Sequence, residues 1–195
     1  MRIQNTVSIQ LIVFLFLISC KEERRQFGIF KVLLDNKTIE MNGEISSTTL
    51  NDFNTLSAQF PNINQINIVK CDGSDDDEIC LELALKVHQK RINIHLMDNG
   101  EISSGGVDFF LAGIRRTRGH NTLIGVHSWG GDDVKATDFP KGHEEHLFYI
   151  NYYISIGFTK VKAKEFYYFT VNSAPHYSMH DMTEEEIKKY GLLIH

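Results

Sequence analysis

Ser104 stands in the stretch GEISSGGVDFFLAG, residues 100–113, between a strand-like run and an apolar helical run. A helix that merely begins needs one capping serine. Two serines followed by two glycines mark a place where the backbone comes close to something. A serine at the first turn of a helix lies among backbone N–H groups without intrahelical partners, which can hold an anion. The same groups can stabilise the oxyanion that forms when a serine hydroxyl attacks a carbonyl. Gly105 and Gly106 keep the approach open.

A serine nucleophile needs a base. The stretch IGVHSWGG puts His127 at the end of a strand, before a glycine turn. An imidazole there can point into a cleft and take the hydroxyl proton. A third stretch, VKCDGSDDDE, runs from a strand through a glycine turn into an acidic helix start. Such turns present N–H groups at the carboxyl edge of a sheet, where α/β folds bind ligands.

The elements that must position these groups follow from period and punctuation. IFKVLLDNKTIEMNGEI reads as a hairpin turning at Asp35-Asn36. TTLNDFNTLSAQF has helical spacing and stops at Pro61. INQINIVK alternates as a strand, and DDDEICLELALKVHQKR is an amphipathic helix with an acidic start and a basic end. INIHLM and TLIGVHSW are strands, SGGVDFFLAGIR is a short helix, and HEEHLFYINYYISIG is a longer one. AKEFYYFTV fits helix or strand. EEEIKKYGL closes the chain as a helix, with Thr183 as N-cap, Glu186 completing a capping box and Gly191 ending it. Strands alternate with helices from residue 63 onward, which predicts α/β architecture with mainly parallel pairing.

The set of motifs carries a resemblance. Strand, glycine turn and helix, then strand, GxxxSGG and helix, then strand and GVHS, resembles the Clp protease proteolytic subunit and the wider crotonase-like superfamily, in an exported branch. Ser104 lies nine residues before Gly113 of LAG, which matches the Clp pattern, whereas Ser103 does not. His127 matches the family's histidine, and KCDGSD, residues 70–75, aligns with its oxyanion turn. MTEEEIKKYGLL resembles its closing helix. The resemblance covers roughly residues 30–195 and implies repeated strand–strand–helix units.

It also implies roles. Ser104 is the nucleophile, His127 the general base, and the N–H of Gly105 with that of Gly73 or Ser74 holds the oxyanion. The family's paired glycines become Gly73-Ser74. The family's aspartate would fall on Met179, four residues before Thr183. An orienting group comes from Asp108, Asp133, Asp138, His180 or Asp181, or from none of them. The implied activity is that of a serine hydrolase, peptidase-like, acting on a peptide or ester. The alternative is a catalytically weak or inactive relative that binds peptides or protein partners in the same cleft. CoA-thioester chemistry fits the superfamily but not an exported protein.

Arg2 and the apolar run of residues 11–18, ending Leu17-Ile18-Ser19-Cys20, resemble a bacterial lipoprotein signal. The run is shorter than the roughly 20 residues that span a bilayer. The expectation is a signal at 1–19, acylation of Cys20, a charged tether at 20–27 and a single domain at 28–195. The mature protein would hang from a bacterial membrane by its acyl chains, facing the periplasm or the exterior. In that oxidising compartment, Cys71 and Cys80 are placed for a disulfide if geometry allows.

The 195 residues are 42% apolar, enough for one core, and carry a net charge of −5 without a basic run in the body. Nucleic acid is not an expected partner. His143 and His146 in HEEH lack the rest of a metal-ligand set and read as a solvated helix face. No metal and no cofactor is expected. Homo-oligomerisation is compatible with the resemblance. Trp129 beside His127 either walls a pocket or packs.

Overall fold

A computed structural model describes residues 24–130 and 134–195. Cys20 and Asp133 lie outside the described residues. A short meander opens the fold: β1 (Gln26–Phe27), β2 (Phe30–Val32) and β3 (Thr38–Asn42) pair antiparallel in turn. The β2–β3 turn is where the sequence predicts it. Asn36 takes a left-handed φ of 57°, and the Asp35 carboxylate accepts the N–H groups of Lys37 and Thr38 at 3.0 and 2.9 Å. Phe27 is buried, so the end of the expected tether belongs to the sheet.

Two crossovers build the parallel centre. α1 (Thr49–Gln59) leads to β4 (Gln65–Cys71), and α2 (Asp77–Gln89) leads to β5 (Asn93–Ser103). β3, β4 and β5 are parallel neighbours. Ile66 and Ile68 of β4 and Ile94 and Leu96 of β5 alternate into the core, which fixes the register. β5 outruns the strand legible in INIHLM. It pairs first with β6 (Arg116–Arg118) and then, past an irregularity, with β7 (Leu123–Val126). The extension delivers the chain straight to Ser104 and into α3 (Gly105–Leu111).

α4 (Leu147–Ser155) and α5 (Lys160–Ser173) follow, then β8 (His180–Asp181), antiparallel to β7, and α6 (Glu184–Tyr190). The ambiguous AKEFYYFTV is helical. Thr159 caps it at the backbone N–H of Lys162, and Ala163, Phe166, Tyr167 and Val171 fall on one buried face. α6 has the predicted capping box between Thr183 and Glu186, with Gly191 left-handed at φ 63°. The sheet is therefore mixed, parallel at its centre and antiparallel at both edges.

Arg116 staples the C-terminus to this sheet. It is 3% exposed, and its guanidinium donates to the carbonyls of Leu192, Leu111, Gly113 and Gly191 at 2.5–3.1 Å. These acceptors are the carbonyls left over at the ends of α3 and α6. Removing the guanidinium strands buried carbonyls as well as losing charged hydrogen bonds. Arg116→Ala should lower the unfolding free energy by about 3 kcal/mol or more in urea melts, whereas Arg115→Ala, one residue away, should change it by less than about 1 kcal/mol.

Candidate active site

Ser104 is held at φ 51° and ψ −126°, a conformation that L residues rarely adopt. Its N–H donates to the Gly125 carbonyl at 3.0 Å, and its own carbonyl accepts from the N–H of Val107 at 2.8 Å. One bond ties it to β7 and the other to the first turn of α3. The backbone is thus over-determined on both sides of the residue.

The neighbouring glycines exist because two turns touch. A Cβ on Gly105 would lie 2.4 Å from Ser74 Oγ, and one on Gly106 would lie 2.7 Å from the Cys71 carbonyl oxygen. Across the contact, Gly73 has φ 131°, and a Cβ there would meet Ser104 Cβ at 3.2 Å. The β4–α2 turn is pinned in place by Ile45, whose N–H donates to Gly73 and whose carbonyl accepts from Asp75, at 2.9 and 3.0 Å. Among the described residues, the N–H groups of Gly73, Ser74 and Gly105 are not given to any backbone carbonyl. Ser74 reaches this position without a left-handed φ, so the loss of the second glycine leaves the turn intact.

His127 follows β7 and lines the same cleft as Ser104 and Gly105. Its Nδ1 is buried without a hydrogen-bond partner. Desolvation lowers its pKa, opposed by the main chain of His176 and by the charge of Asp77. The β7–β8 ladder ends at the pair Val126–His180, and beyond it the N–H of Ser128 donates to the Ala174 carbonyl at 2.8 Å. Met179 packs against Gly125, where a Cβ would lie 2.6 Å from its Cγ. Methionine is thus the residue at the sequence position where the resemblance places an acid, and its side chain meets Gly125.

The other candidates for the orienting role separate cleanly. Asp108 lines the cleft, buried in α3, and its Oδ1 accepts the Tyr153 hydroxyl at 2.6 Å. Burial pushes its carboxyl up to about 7, against the Tyr153 hydrogen bond. Asp138 is spent on the N–H of Lys135 at 3.0 Å. His180 pairs with Glu186 at 2.9 Å, and Asp181 is exposed on β8. None of these three lines the cleft.

A residue that motif reading missed does line it. Asp77 accepts the Ser74 hydroxyl at 2.7 Å and also the Tyr149 hydroxyl. In the run DDDE, the acids read as capping and dipole residues. Asp76 does that work by accepting the N–H of Ile79 at 3.0 Å, which leaves Asp77 at the first helical position for the cleft. Only the repetition of acids in the sequence hinted at a spare one.

Two expectations need correction. Cys71 and Cys80 are free and buried, not bonded to each other. Each thiol donates to a glycine carbonyl of the site, Cys71 to Gly73 at 3.6 Å and Cys80 to Gly105 at 3.3 Å, and burial pushes the Cys71 thiol up to about 11. His146 is not on a solvated face but 1% exposed, with Nδ1 at 2.8 Å from the Tyr167 hydroxyl. Trp129 donates to that same hydroxyl at 2.7 Å. His146 Nε2 faces the Pro140 carbonyl at 3.2 Å, which only accepts, so in the neutral ring Nε2 carries the proton and Nδ1 accepts from the Tyr167 hydroxyl. This chain holds Trp129 as a wall of the cleft.

Strain at Ser104 is measurable without knowing a substrate. A left-handed non-glycine residue costs of order 1 kcal/mol or more, which glycine does not pay. Ser104→Gly should therefore be more stable to urea than Ser104→Ala by about 1 kcal/mol, although glycine normally loses such comparisons.

No family model and no curated protein sequence matches the chain. Solved structures do match by fold. The ClpP protease catalytic domain from Plasmodium falciparum is 17% identical with a TM-score of 0.54, over 82% of this chain and 83% of that one. A mutant of ClpP1 from Listeria monocytogenes is 17% identical with a TM-score of 0.52, over 82% and 90%. A mutant of the 1510-N membrane-bound stomatin-specific protease, in complex with a substrate peptide, is 20% identical with a TM-score of 0.50, over 79% and 71%. Likeness at these identities speaks to architecture: the chain has the ClpP-like fold.

Proposed function

We propose that this protein is a serine hydrolase of peptidase type, with Ser104 as nucleophile and His127 as general base. The observation that carries the reading is the backbone of Ser104. It is held at positive φ between a strand and a helix, pressed against Gly73, in one cleft with His127. Strain of this kind persists only where the surroundings impose it, and it concentrates at sites of chemistry.

The chemistry divides among the residues as follows. His127 takes the Ser104 hydroxyl proton as Oγ attacks the substrate carbonyl. The N–H of Gly105, with that of Ser74 or Gly73, stabilises the oxyanion. The imidazolium then gives its proton to the leaving amine, and water hydrolyses the acyl-enzyme by the same steps. With methionine at position 179, the main chain of His176, the charge of Asp77 and the main chain of Ser128 are what favour the imidazolium. A triad that loses its acid retains only a fraction of its rate, with losses of about 10⁴-fold where this has been isolated. The reading is of a slow enzyme. A peptide is the favoured substrate class, since a protease of this fold is seen with a peptide bound.

The cellular setting belongs to the same proposal: an exported protein acylated at Cys20 and held at a bacterial membrane. Among the described residues, no helix is long and apolar enough to cross a bilayer. Incorporation of labelled palmitate in bacterial cells should be lost in Cys20→Ser, and equal labelling of the variant would remove the anchor from the proposal.

The enzyme reading is tested with a fluorophosphonate probe on the protein lacking residues 1–19. Wild type should label, and Ser104→Ala and His127→Ala should not. A folded wild type that fails to label points instead to a peptide-binding relative, for which the unpartnered His127 Nδ1 is the supporting observation. The labelling rate should rise with pH, because the base must be neutral to act. Since burial lowers the His127 pKa, the midpoint of the rise should lie below the ordinary histidine value of about 6.5.

A further inference from the structure

We propose that the cleft receives a lysine side chain of the substrate, its ammonium seated between the carboxylates of Asp77 and Asp108. The proposal rests on the peptidase reading and names the substrate class it selects. The two acids reach the cleft from different helices, Asp77 from the start of α2 and Asp108 from α3. Among the described residues, no lysine or arginine lines it.

Asp108 is the more telling of the pair. It is 9% exposed and faces the cleft, yet among the described residues its carboxylate receives a single hydrogen bond, from Tyr153. A carboxylate needs several donors or a cation to remain ionised at such burial. The protein supplies neither, and the carboxyl is accordingly raised to about 7. A bound ammonium would supply both charge and donors.

The surroundings suit that ligand. Tyr149, Tyr153, Tyr167 and Trp129 line the cleft, a largely aromatic wall of the kind that accommodates the methylene chain of a lysine. The tyrosine hydroxyls are already committed to Asp77, Asp108 and His146, so they do not compete as donors to the substrate. Counted to its open mouth, the cleft holds about 420 Å³ of empty space, and its inner part is narrow. A slim chain ending in a water-sized ammonium matches such a slot better than a planar guanidinium. The net charge of −5 favours the approach of a basic peptide.

Binding should then depend on pH through Asp108. The groups facing it are Asp77 and Cys80 from α2, Tyr149, Tyr152 and Tyr153 from α4, and His127 after β7. Burial raises the thiol and the three phenols, so they remain neutral between pH 6 and 8. Burial lowers His127, and any protonation of it at the acid end would repel the ligand further. Asp108 gains its charge as pH rises through about 7, so affinity for an ammonium rises with pH.

The test compares two peptides that differ only in lysine against norleucine, binding to Ser104→Ala by fluorescence anisotropy. At pH 8 the lysine peptide should bind about tenfold tighter or more, a close charge pair's share of affinity. The ratio should shrink at pH 6, and should fall below about threefold when Asp108→Asn is added. Asp77→Asn, at a less buried site, serves as the second variant, and both are checked for native circular dichroism. Equal binding, tighter binding of norleucine, or no binding of either peptide overturns the proposal. Turnover by wild type separates the two readings. A lysine preference in binding without cleavage would sink the hydrolase and keep the lysine site, whereas cleavage without the preference would do the reverse.

Discussion

Everything at the site depends on one contact, the turn between β4 and α2 pressed against the turn between β5 and α3. The approach is closer than a β-carbon tolerates, with Gly105 against the Ser74 side chain and Gly106 against the Cys71 carbonyl. The parallel pairing of β4 and β5 brings the ends of both strands to one sheet edge, and the glycines then let the turns close on each other. Because that contact is made, the N–H groups of one turn lie beside the serine of the other. Close backbone approach is hard to build from side chains, which is why the glycines are where they are.

The aromatic residues of α4 and α5 complete the cleft from the opposite side. Tyr149 stacks on Tyr167 with centroids 5.8 Å apart, and Tyr153 packs edge-on to Phe166 at 5.2 Å. Three of their hydroxyls end on polar groups, Asp77, Asp108 and His146. The same helices thus supply both an apolar wall and the donors that keep two acids in place. A wall of this type is stiff, because each ring is held at its face by packing and at its tip by a hydrogen bond.

Much of this was legible in the sequence, and the limits have physical causes. The placement of Ser104, His127 and the Gly73 turn at strand ends was legible because such junctions leave strong local marks. The capping box of α6 and the Asp35-Asn36 turn are likewise local. The full length of β5 was not legible, since Asp98-Asn99-Gly100 reads as a turn, and the chain passes through it as an irregularity between two partners. The side chains of Asp77, His146 and Tyr167 depend on packing between elements far apart in sequence, so no local pattern announces them. The state of Cys71 and Cys80 was left open for the same reason, because spacing gave no information about the carbonyls that each thiol meets.

The position of the acids bears directly on the proposed chemistry. In a complete triad the carboxylate lies behind the histidine, away from the oxyanion. Here methionine stands at position 179, and Asp77 is tied to Ser74, on the side of the cleft where the proposed oxyanion would form. From there its charge favours the imidazolium but opposes the oxyanion, and the two effects pull the barrier in opposite directions. An ammonium seated between Asp77 and Asp108 would cancel the charge where it does harm. Specificity and rate would then have a common origin, since a substrate lacking the cation would meet an uncompensated carboxylate as the oxyanion forms. On that account the loss of the usual acid is tolerable only together with a basic substrate, and a neutral one should be turned over more slowly even where it binds.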